Sequence, residues 1–579
     1  MAYRNRTDSS TGGKRPDDRA PRKYSGQEIS LDSSRAMLLL AIFAGIVLIF
    51  VFRLVFLQVI VADEYSAQAR EARTTTIELS PRRGTIYDRN GTVLATTVDA
   101  TTIYCNPHEV TDASGEAEKL ASILGGEAKD YRDKLQTADT PFAYLKRKAD
   151  AEKAAQLKEM DLDGIYFIND SRRVYPNDQI GGQVIGFVNI DDEGLSGLEL
   201  YYNDILTGTP GRMVAERGEG GIPIPGGVTE DTNAVNGQDI IVSLDLGMQG
   251  YLEDRLAQGV KDLEGKGGNS VIMDGGTGEI LACASLPYLN PSDRSKVEAG
   301  ATELKSITTA FEPGSIFKAV PILGVLEAGL MTPDDTLFCP AYLPADEYFV
   351  SDAHERGDET MSLRKIFANS SNVGLSLAAS KLTFPVLYDK ILQYNFNEET
   401  GVDYPGEAAG YLLNQKNWST IQAYNISFGQ GISVTPLQMA RFYGALTNKG
   451  IECTPHFLIA KPQNNETLSY PTEDVVMNKA AIPAMTSLLE SVVTDGTGKP
   501  AAIDGYSVAG KTGTAEYADD TGGYVKGFYN ISFIGYMPHS NSQLVCFVGA
   551  TEVPGDRSTA AVFKDIMAFA IDRYKITPQ

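Results

Sequence analysis

Three short motifs along this 579-residue chain carry side chains that could attack a peptide carbonyl. Ser315 and Lys318 pair a hydroxyl nucleophile with an amine base. Ser370 can relay a proton, Asn372 can bind an amide, and Lys511 opens a Lys-Thr-Gly sequence that can hold a carboxylate. A serine hydroxyl is a poor nucleophile until a neighbouring base takes its proton. The three motifs together therefore predict acyl transfer through a serine ester.

The predicted base makes a definite demand on its surroundings. A lysine keeps its proton up to a pKa of ~10.4, so a lysine base at neutral pH needs a pKa lowered by ~3 units, roughly 4 kcal/mol. Burial and a second nearby cation both lower the pKa of a lysine. Lys511 could be that cation if folding brings it close to Lys318. Without the other two motifs, Lys318 would be interpreted as a helix lysine whose charged end reaches solvent.

Sequence context separates two occurrences of the Ser-x-x-Lys pattern. Ser315 follows a Phe-Glu-Pro-Gly turn signal and precedes an apolar run at 316–330, which predicts the start of a buried helix. Pro321 lies inside this run and predicts a local kink, because proline removes a backbone donor. Ser362 and Lys365 also fit the pattern but lack such an opening, so they are predicted to lie on a solvated helix face.

The other two motifs are predicted on different kinds of element. The Ser-Ser-Asn sequence at 370–372 lies between two helical patterns, at 363–368 and 373–381, and is predicted to form a turn. The Lys-Thr-Gly sequence lies within 506–516, which is small and β-branched enough for a strand. Gly513 suits a strand position where another backbone approaches closely. A peptide substrate could then bind alongside as an extra strand.

In this order the motifs resemble the signature of the penicillin-binding proteins. Further segments resemble boxes of the class B members, which are peptidoglycan D,D-transpeptidases. They begin with Arg-Gly-Thr-Ile-Tyr-Asp-Arg-Asn-Gly at 83–91, and continue at 173–176, 186–188, 194–199, 206–211, 429–438 and 496–498. The resemblance extends from about Val51 to the C-terminus.

Two of these boxes have a structural interpretation. Thr435, Pro436 and Gln438 have the spacing of a capping box at a helix start. The sequence at 88–91 predicts a hairpin with a tight Asn-Gly turn. Neither box is assigned to the active site.

The resemblance implies a role for each catalytic residue. It makes Ser315 the acylated nucleophile and Lys318 its base. Ser370 would shuttle the proton to the leaving amine, Asn372 would hold the donor stem peptide, and Lys511 would complete the catalytic set.

Substrate binding is assigned by the same resemblance. Thr512, Gly513 and Thr514 form the substrate-binding strand, and the hydroxyl groups there join Lys511 in binding the terminal carboxylate. Backbone N–H groups of Ser315 and Thr514 would form the oxyanion hole, where one donor contributes ~2.7–4 kcal/mol to the transition state. Penicillins and other β-lactams would acylate the serine because they resemble the D-Ala-D-Ala end of the donor. No cofactor is implied.

The N-terminal residues predict a membrane anchor. Residues 36–52 carry no charge, and with Arg53 reaching the interface the stretch 36–62 is long enough to cross a bilayer. A cleaved signal peptide is the alternative, but no small-x-small cleavage site follows the apolar run. The first 35 residues carry eight Lys/Arg and five Asp/Glu, and are predicted to be a disordered cytoplasmic tail. The positive-inside tendency then places the catalytic part outside the cytoplasm.

The overall charge and the spacing of the cysteines and histidines argue against nucleic-acid binding and against a metal site. A net charge of −24 with no basic motif argues against a nucleic-acid partner. The five cysteines (105, 283, 339, 453 and 546) are far apart and predict isolated buried thiols. The four histidines are scattered without metal-ligand spacing, so no metal site is predicted.

Four segments are predicted: a tail at 1–35, the transmembrane anchor at 36–62, an N-terminal pedestal or dimerisation domain at 63–237, and a transpeptidase domain at 238–579. Gly- and Pro-rich sequence at 218–237 predicts a boundary or exposed connection. Strand patterns at both ends of the last segment, with helical patterns between them, predict an α+β fold. Its mainly antiparallel sheet carries a helical lobe.

Three functions remain open from the sequence. The leading hypothesis is cross-linking of stem peptides on lipid-linked or nascent glycan. A D,D-carboxypeptidase or β-lactamase of the same superfamily is the second, because water and an amine compete for one acyl-enzyme. A non-catalytic β-lactam sensor or scaffold is the third. The resemblance implies a polytopic membrane glycosyltransferase and divisome proteins as partners, and Glu312 beside the first motif favours a septal over a sporulation or elongation role.

Overall fold

The computed structural model of the protein describes residues 33–61, 74–137, 140–217, 223–464, 466–518 and 523–579. Two compact units are present: residues 1–77 with 213–231, and residues 78–212 with 232–579. Most of the predicted tail, residues 1–32, lies outside the described residues. The predicted domain boundaries stay predictions.

Strands occur in both units. Numbered in chain order, they are β1 (Thr74–Leu79), β2 (Ile86–Tyr87), β3 (Val93–Cys105), β4 (Ala143–Asp150), β5 (Ile165–Val174), β6 (Gly211–Arg217), β7 (Pro223–Thr232), β8 (Ile240–Val242), β9 (Gly267–Asp274), β10 (Ile280–Ser285), β11 (Thr336–Cys339), β12 (Tyr342–Ala345), β13 (Tyr348–Ser351), β14 (Glu359–Ser362), β15 (Tyr411–Leu412), β16 (Ile432–Ser433), β17 (Ile451–Cys453), β18 (Leu458–Lys461), β19 (Glu466–Thr467), β20 (Thr472–Asp474), β21 (Ala509–Ala518), β22 (Tyr524–Tyr536) and β23 (Leu544–Pro554).

Helices are numbered in the same way. They are α1 (Ser33–Val55), α2 (Ala113–Leu124), α3 (Ala128–Leu135), α4 (Ala151–Lys158), α5 (Gly182–Ile185), α6 (Gly197–Tyr201), α7 (Asn203–Thr207), α8 (Leu246–Asp262), α9 (Lys305–Thr308), α10 (Ala319–Glu327), α11 (Leu363–Ala368), α12 (Asn372–Ala379), α13 (Phe384–Gln393), α14 (Thr420–Ser427), α15 (Pro436–Thr447), α16 (Ala481–Thr494) and α17 (Ala560–Tyr574). Short 3₁₀ turns occur at Arg294–Lys296, Gly314–Lys318, Gln415–Asn417, Pro462–Asn464 and Lys499–Ala501, and a π turn at Phe56–Ile60.

The first unit contains the apolar helix and a small sheet. Helix α1 and the π turn give a continuous apolar stretch, Ser34–Ile60, of 27 residues. Since a bilayer core needs about 20 helical residues, this stretch is long enough to span it, as predicted for 36–62. Strands β1, β6 and β7 form a three-stranded sheet. Strand β7 lies within the segment at 218–237 that the sequence predicted to be a boundary or exposed connection.

A five-stranded antiparallel sheet forms the centre of the second unit, in the order β10-β9-β23-β22-β21. The predicted α+β class with an antiparallel sheet is therefore confirmed. Alternate residues of β9 enter two different cores: Val271 and Met273 join one, and Ile272 joins the other. Because successive strand residues point to opposite faces, the sheet is covered on both sides. Helices α8 and α17 contribute to the core that contains Ile272.

A second sheet joins residues on either side of the Gly- and Pro-rich segment. Strand β2 pairs with β3 in the predicted hairpin around 88–91, with Gly91 at a φ of 83°. Strand β8 pairs in parallel with β2 and antiparallel with β18. Beyond β3, strands β4 and β5 pack with α2 and α4 around Leu120, Leu145 and Leu157.

Three of the N-terminal boxes meet in one buried ionic network. Arg83 Nε donates to Glu199 Oε2 at 2.6 Å, and Arg173 Nε donates to Glu199 Oε1 at 2.7 Å. Arg173 also donates to the carbonyl of Gly84 at 2.6 Å. A buried carboxylate left without such partners is strongly destabilising, so the network ties these segments together.

Two other structural predictions are confirmed. Thr435 and Gln438 form the capping box at the start of α15, with Pro436 as its first residue. The five cysteines are all free and buried.

Candidate active site

Ser315 lies in a 3₁₀ turn, Gly314–Lys318, and not in the first turn of an α-helix as the sequence predicted. A 3₁₀ helix has three residues per turn, so residues i and i+3 lie on one face and Lys318 follows Ser315 by one turn. The α-helix α10 begins at Ala319, and Pro321 falls in its first turn, where backbone N–H groups have no helical partner. The kink predicted at Pro321 stays a prediction.

Lys318 is fully buried and directs its amine at the Ser-Ser-Asn turn. Its Nζ donates to the carbonyl of Ser370 at 2.6 Å, to Ser370 Oγ at 3.1 Å and to Asn372 Oδ1 at 2.8 Å. Within the part of the chain that the structure describes, Ser315 makes no hydrogen bond to this amine, and its side chain is half-buried. Catalytic hydrogen bonds often tighten only when substrate binds.

Lys511 reaches the same turn from β21. This lysine is also fully buried, and its Nζ donates to Ser370 Oγ at 3.0 Å and to the carbonyl of Thr512 at 3.1 Å. Ser370 Oγ therefore bridges the two amines. The predicted approach of Lys511 to Lys318 is present, although the two residues are 193 positions apart (511 − 318).

Burial controls the electrostatics of both amines. It lowers the pKa of Lys318 to about 7, while the nearby carboxylate of Asp352 acts in the opposite direction. Burial also lowers the pKa of Lys511 well below its ordinary value, and the charge of Lys318 lowers it further. Burial of the two amines side by side therefore disfavours the state in which both are protonated. The drop demanded of a lysine base by the sequence argument is met.

The Ser-Ser-Asn turn connects α11 to α12, as predicted. Ser370 adopts a left-handed φ of 56°, which is uncommon for a residue with a side chain. Ser371 caps α12, because its Oγ accepts from the N–H of Gly374 at 3.0 Å. Asn372 Nδ2 donates to the carbonyl of Ser351 at 3.2 Å, which fixes the amide that holds Lys318.

The Lys-Thr-Gly strand packs against the turn that carries Ser315. A Cβ at Gly513 would lie 3.1 Å from Ile316 Cγ2 and 3.1 Å from the carbonyl of Pro313. A Cβ at Gly314 would lie 2.8 Å from the carbonyl of Thr514. Glycine is therefore required at 314, and Gly513 allows the close backbone approach that the sequence predicted. The Thr514 side chain is exposed beside it.

The second Ser-x-x-Lys pattern is structural. Ser362 caps α11, with its Oγ accepting from the N–H of Lys365 at 3.2 Å. Lys365 forms an ion pair with Glu359, and both side chains are exposed by more than two fifths. These contacts agree with the prediction of a solvated helix face.

Two residues that contact the motifs, Asp352 and Thr497, and the ion-pair partner of Asp352, Arg356, were missed from the sequence. Asp352 accepts hydrogen bonds from the Ser371 side chain and the Val373 backbone, and Arg356 pairs with it. The hydroxyl oxygens of Thr497 and Thr512 are 2.7 Å apart. Thr497 belongs to the box at 496–498, which resembles the family but was given no role in the predicted site. Among the described residues, no group of three or more His, Cys, Asp or Glu could hold a metal ion.

Comparison with known proteins places this architecture in a family. Residues 268–568 match the penicillin binding protein transpeptidase domain, and residues 78–242 match the penicillin-binding protein dimerisation domain. Stage V sporulation protein D of Bacillus subtilis is 30% identical over 539 residues, covering 90% of this chain and 82% of that protein. Peptidoglycan D,D-transpeptidase FtsI of Escherichia coli is 29% identical over 539 residues, covering 91% and 89%.

A solved structure agrees with these relatives. Penicillin binding protein 3 of Mycobacterium tuberculosis, complexed with aztreonam, is 25% identical with a TM-score of 0.67, over 87% of this chain and 98% of that chain. In this chain the dimerisation domain precedes the transpeptidase domain. The chain therefore belongs to the class B penicillin-binding proteins.

Proposed function

We propose that this protein is a serine-type peptidoglycan D,D-transpeptidase that cross-links stem peptides through an acyl-enzyme on Ser315 and is inhibited by β-lactams. The observation that carries the proposal is the pair of buried amines, Lys318 and Lys511, joined through Ser370 Oγ beside the turn of Ser315. Such a pair has little structural value, because burying two amines together is unfavourable.

Substrate binding activates the base. The donor's terminal carboxylate binds beside Lys511 and the hydroxyl groups of Thr512 and Thr514, and its negative charge favours a protonated Lys511. Ser370 Oγ, 3.1 Å from one nitrogen and 3.0 Å from the other, accepts from one amine as it donates to the other. The proton moves to Lys511, and Lys318 becomes a neutral base.

Acylation then follows. Lys318 takes the proton of Ser315 as Oγ bonds to the carbonyl carbon of the penultimate D-Ala. The oxyanion is held by the backbone N–H groups of Ser315 and Thr514, and Asn372 holds the donor amide. Collapse of the intermediate breaks the C–N bond, and the leaving D-Ala amine receives its proton through Ser370.

Deacylation by an amine completes the cross-link. The amine of a neighbouring stem peptide attacks the ester carbonyl and loses a proton to Lys318. A new peptide bond forms, and Ser315 regains its hydroxyl. Attack by water instead would give a carboxypeptidase.

The first test is covalent labelling with a fluorescent penicillin. We expect labelling of the protein, loss of labelling in Ser315→Ala, and retention in Ser362→Ala, which removes the cap of α11 at a cost of about 1 kcal/mol. Labelling that survives Ser315→Ala would refute the assignment of the nucleophile.

The second test separates transpeptidation from hydrolysis. The purified protein is incubated with a stem-peptide mimic ending in D-Ala-D-Ala and with an amine acceptor. We expect the cross-linked product and released D-Ala. Free acid without cross-linked product would identify a carboxypeptidase.

The relatives and the apolar helix also support a proposal about the cellular setting. The protein is anchored by Ser34–Ile60 with its N-terminus in the cytoplasm, and works with a polytopic membrane glycosyltransferase and divisome proteins during division. The similarity to stage V sporulation protein D and to FtsI supports this setting. A fluorescent fusion should concentrate at septa, and a uniform sidewall signal would reject the division role.

A further inference from the structure

The end of β13 and the residue that follows it contact Ser371, Asn372 and Val373. The carbonyl of Ser351 accepts from Asn372 Nδ2 at 3.2 Å. The carboxylate of Asp352 accepts from Ser371 Oγ at 2.8 Å and from the N–H of Val373 at 2.9 Å. Two consecutive residues therefore hold the turn that presents Ser370 and Asn372 to Lys318.

Arg356 holds this carboxylate in place. Its Nε donates to Asp352 Oδ2 at 2.5 Å, and the two side chains are 19% and 12% exposed. Its Nη1 donates to the carbonyls of Cys339 and Gly357, each at 2.9 Å, so the guanidinium is fixed to the end of β11. Burial raises the pKa of Asp352, but hydrogen bonds from Val373, Arg356 and Ser371 outweigh burial and lower it overall. The carboxylate therefore stays charged at neutral pH.

The charges around Lys318 come from strand β21 and from the loop after β13. Lys511 faces it from β21, Asp352 is the first residue after β13, and Arg356 lies behind Asp352. Lys318 disfavours the charged form of Lys511, and Asp352 favours the charged form of Lys318. Arg356 partly offsets the charge of Asp352. Asp352 therefore favours the charged form of Lys318, and Arg356 disfavours it.

We propose that the Asp352–Arg356 pair is a positioning element that holds the Ser-Ser-Asn turn against Lys318 and sets the pH range in which Ser315 is acylated. This inference rests on the proposed function. Neither residue touches the substrate or the reacting atoms in this scheme. Both act through the turn and through the charge that Lys318 experiences.

The test uses the full-length protein and the rate constant of acylation by a β-lactam between pH 5.5 and 9. The unaltered protein should show an acid limb with a midpoint near the pKa of Lys318, about 7. Asp352→Asn keeps the shape and an acceptor oxygen but removes the charge, and should move the midpoint to lower pH by about 0.5–1 unit. Arg356→Gln leaves the carboxylate unopposed and should move the midpoint to higher pH by a similar amount.

Two control variants make the result specific. Arg356→Lys keeps the positive charge and should restore the original midpoint, even if the rate falls. Asp334→Asn removes an exposed carboxylate that pairs with Arg364 and should leave the midpoint unchanged. Thermal unfolding identifies any variant that fails to fold. If Asp352→Asn or Arg356→Gln fails, the midpoint shift of the other variant decides the test.

The outcomes are distinguishable from failure of the proposed function. A protein whose Ser315 is not acylated at all would contradict the proposed function. A protein that is acylated, but whose Asp352→Asn and Arg356→Gln variants lose rate with unchanged midpoints, would overturn the inference. Midpoints that move in the same direction would also overturn it, because a charge effect requires opposite shifts.

Discussion

At the scale of single residues, Ser370 explains how the two amines are held together. Its left-handed φ of 56° brings its carbonyl and its hydroxyl to the same amine, at 2.6 and 3.1 Å from Lys318 Nζ. Backbone conformations of this kind cost about 1–3 kcal/mol and occur mostly where function requires them. The strain at Ser370 is therefore consistent with a role in proton transfer.

Residue types and spacing were enough to single out the residues that the fold brings together at the candidate site. Lys318 and Lys511 could be assigned because each belongs to a short motif with a chemical interpretation. Asp352 could not, because an aspartate after a short strand carries no signal of its own. Its contact with Ser371 depends on how β12, β13 and the following loop fold, which single-sequence patterns do not determine.

Lys318 is expected to lower stability at neutral pH. Its pKa in the folded protein is about 7, below the ordinary value of ~10.4. Between these values the unfolded chain binds a proton that the folded protein does not, so stability rises with pH across that window. Lys318→Met should therefore abolish acylation but raise stability at pH 7, by about 1–4 kcal/mol.

Thermal unfolding at pH 7 and pH 9.5 measures this effect. The gain from Lys318→Met should shrink at the higher pH, where the lysine is neutral in the folded protein and closer to neutral in the unfolded chain. Lys365→Met is the matched control, because its side chain is about half exposed and paired with Glu359. A Lys318→Met variant less stable than the unaltered protein at pH 7 would contradict the expectation.

At the scale of elements, the 3₁₀ turn at Gly314–Lys318 is confined between β21 and the loop before β16. The N–H of Gly314 donates to the carbonyl of Gly429 at 2.9 Å, and Gly513 closes the opposite side. The sequence predicted the strand and the buried helix but not the helix type. A spacing of three residues suits both helix types, and only packing against β21 distinguishes them.

Gly429 should be more sensitive to substitution than another glycine with the same backbone conformation. Gly429 and Gly505 have φ values of 87° and 83°, but a Cβ at Gly429 would lie 2.0 Å from the carbonyl of Gly314, whereas a Cβ at Gly505 would meet nothing within 4 Å. Gly505→Ala should cost about 1–3 kcal/mol from backbone strain alone. Gly429→Ala should cost more and should also displace the turn that carries Ser315.

Two measurements separate the effect of backbone strain at the substituted glycine from displacement of the turn that carries Ser315. The thermal midpoint should fall in both variants and further in Gly429→Ala. Acylation by a β-lactam should be unchanged in Gly505→Ala and at least about tenfold slower in Gly429→Ala, because small displacements of a nucleophile reduce the rate strongly. Equal acylation rates would show that the loop at Gly429 does not position Ser315.

At the scale of the whole molecule, the segments around the predicted boundary share a sheet. Strand β8 lies after that boundary yet pairs in parallel with β2, which lies before it. The α+β class and the antiparallel central sheet could be predicted, because strand patterns lie at both ends of 238–579 with helical patterns between them. The pairing of β2 with β8 could not, since partners that far apart are selected by the complete fold.

The buried thiols make the orientation of the chain measurable. All five native cysteines are free and buried, and burial raises the pKa of Cys105 to about 11 and of Cys283 to about 12. Since the thiolate is the reactive form, these residues should react slowly with a thiol reagent that cannot cross membranes. An introduced exposed cysteine would then report the side of the membrane on which it lies.

We expect two introduced cysteines to report opposite sides. Thr302→Cys places a thiol at an exposed position of the second unit, and Ser9→Cys places one in the predicted cytoplasmic tail. In spheroplasts, a membrane-impermeant maleimide should label Thr302→Cys at once and Ser9→Cys only after the membrane is opened. This pattern follows if Ser34–Ile60 spans the bilayer once with the basic tail inside. Labelling of Ser9→Cys in sealed spheroplasts, with Thr302→Cys protected, would reverse the orientation and would place Ser315 on the side without peptidoglycan.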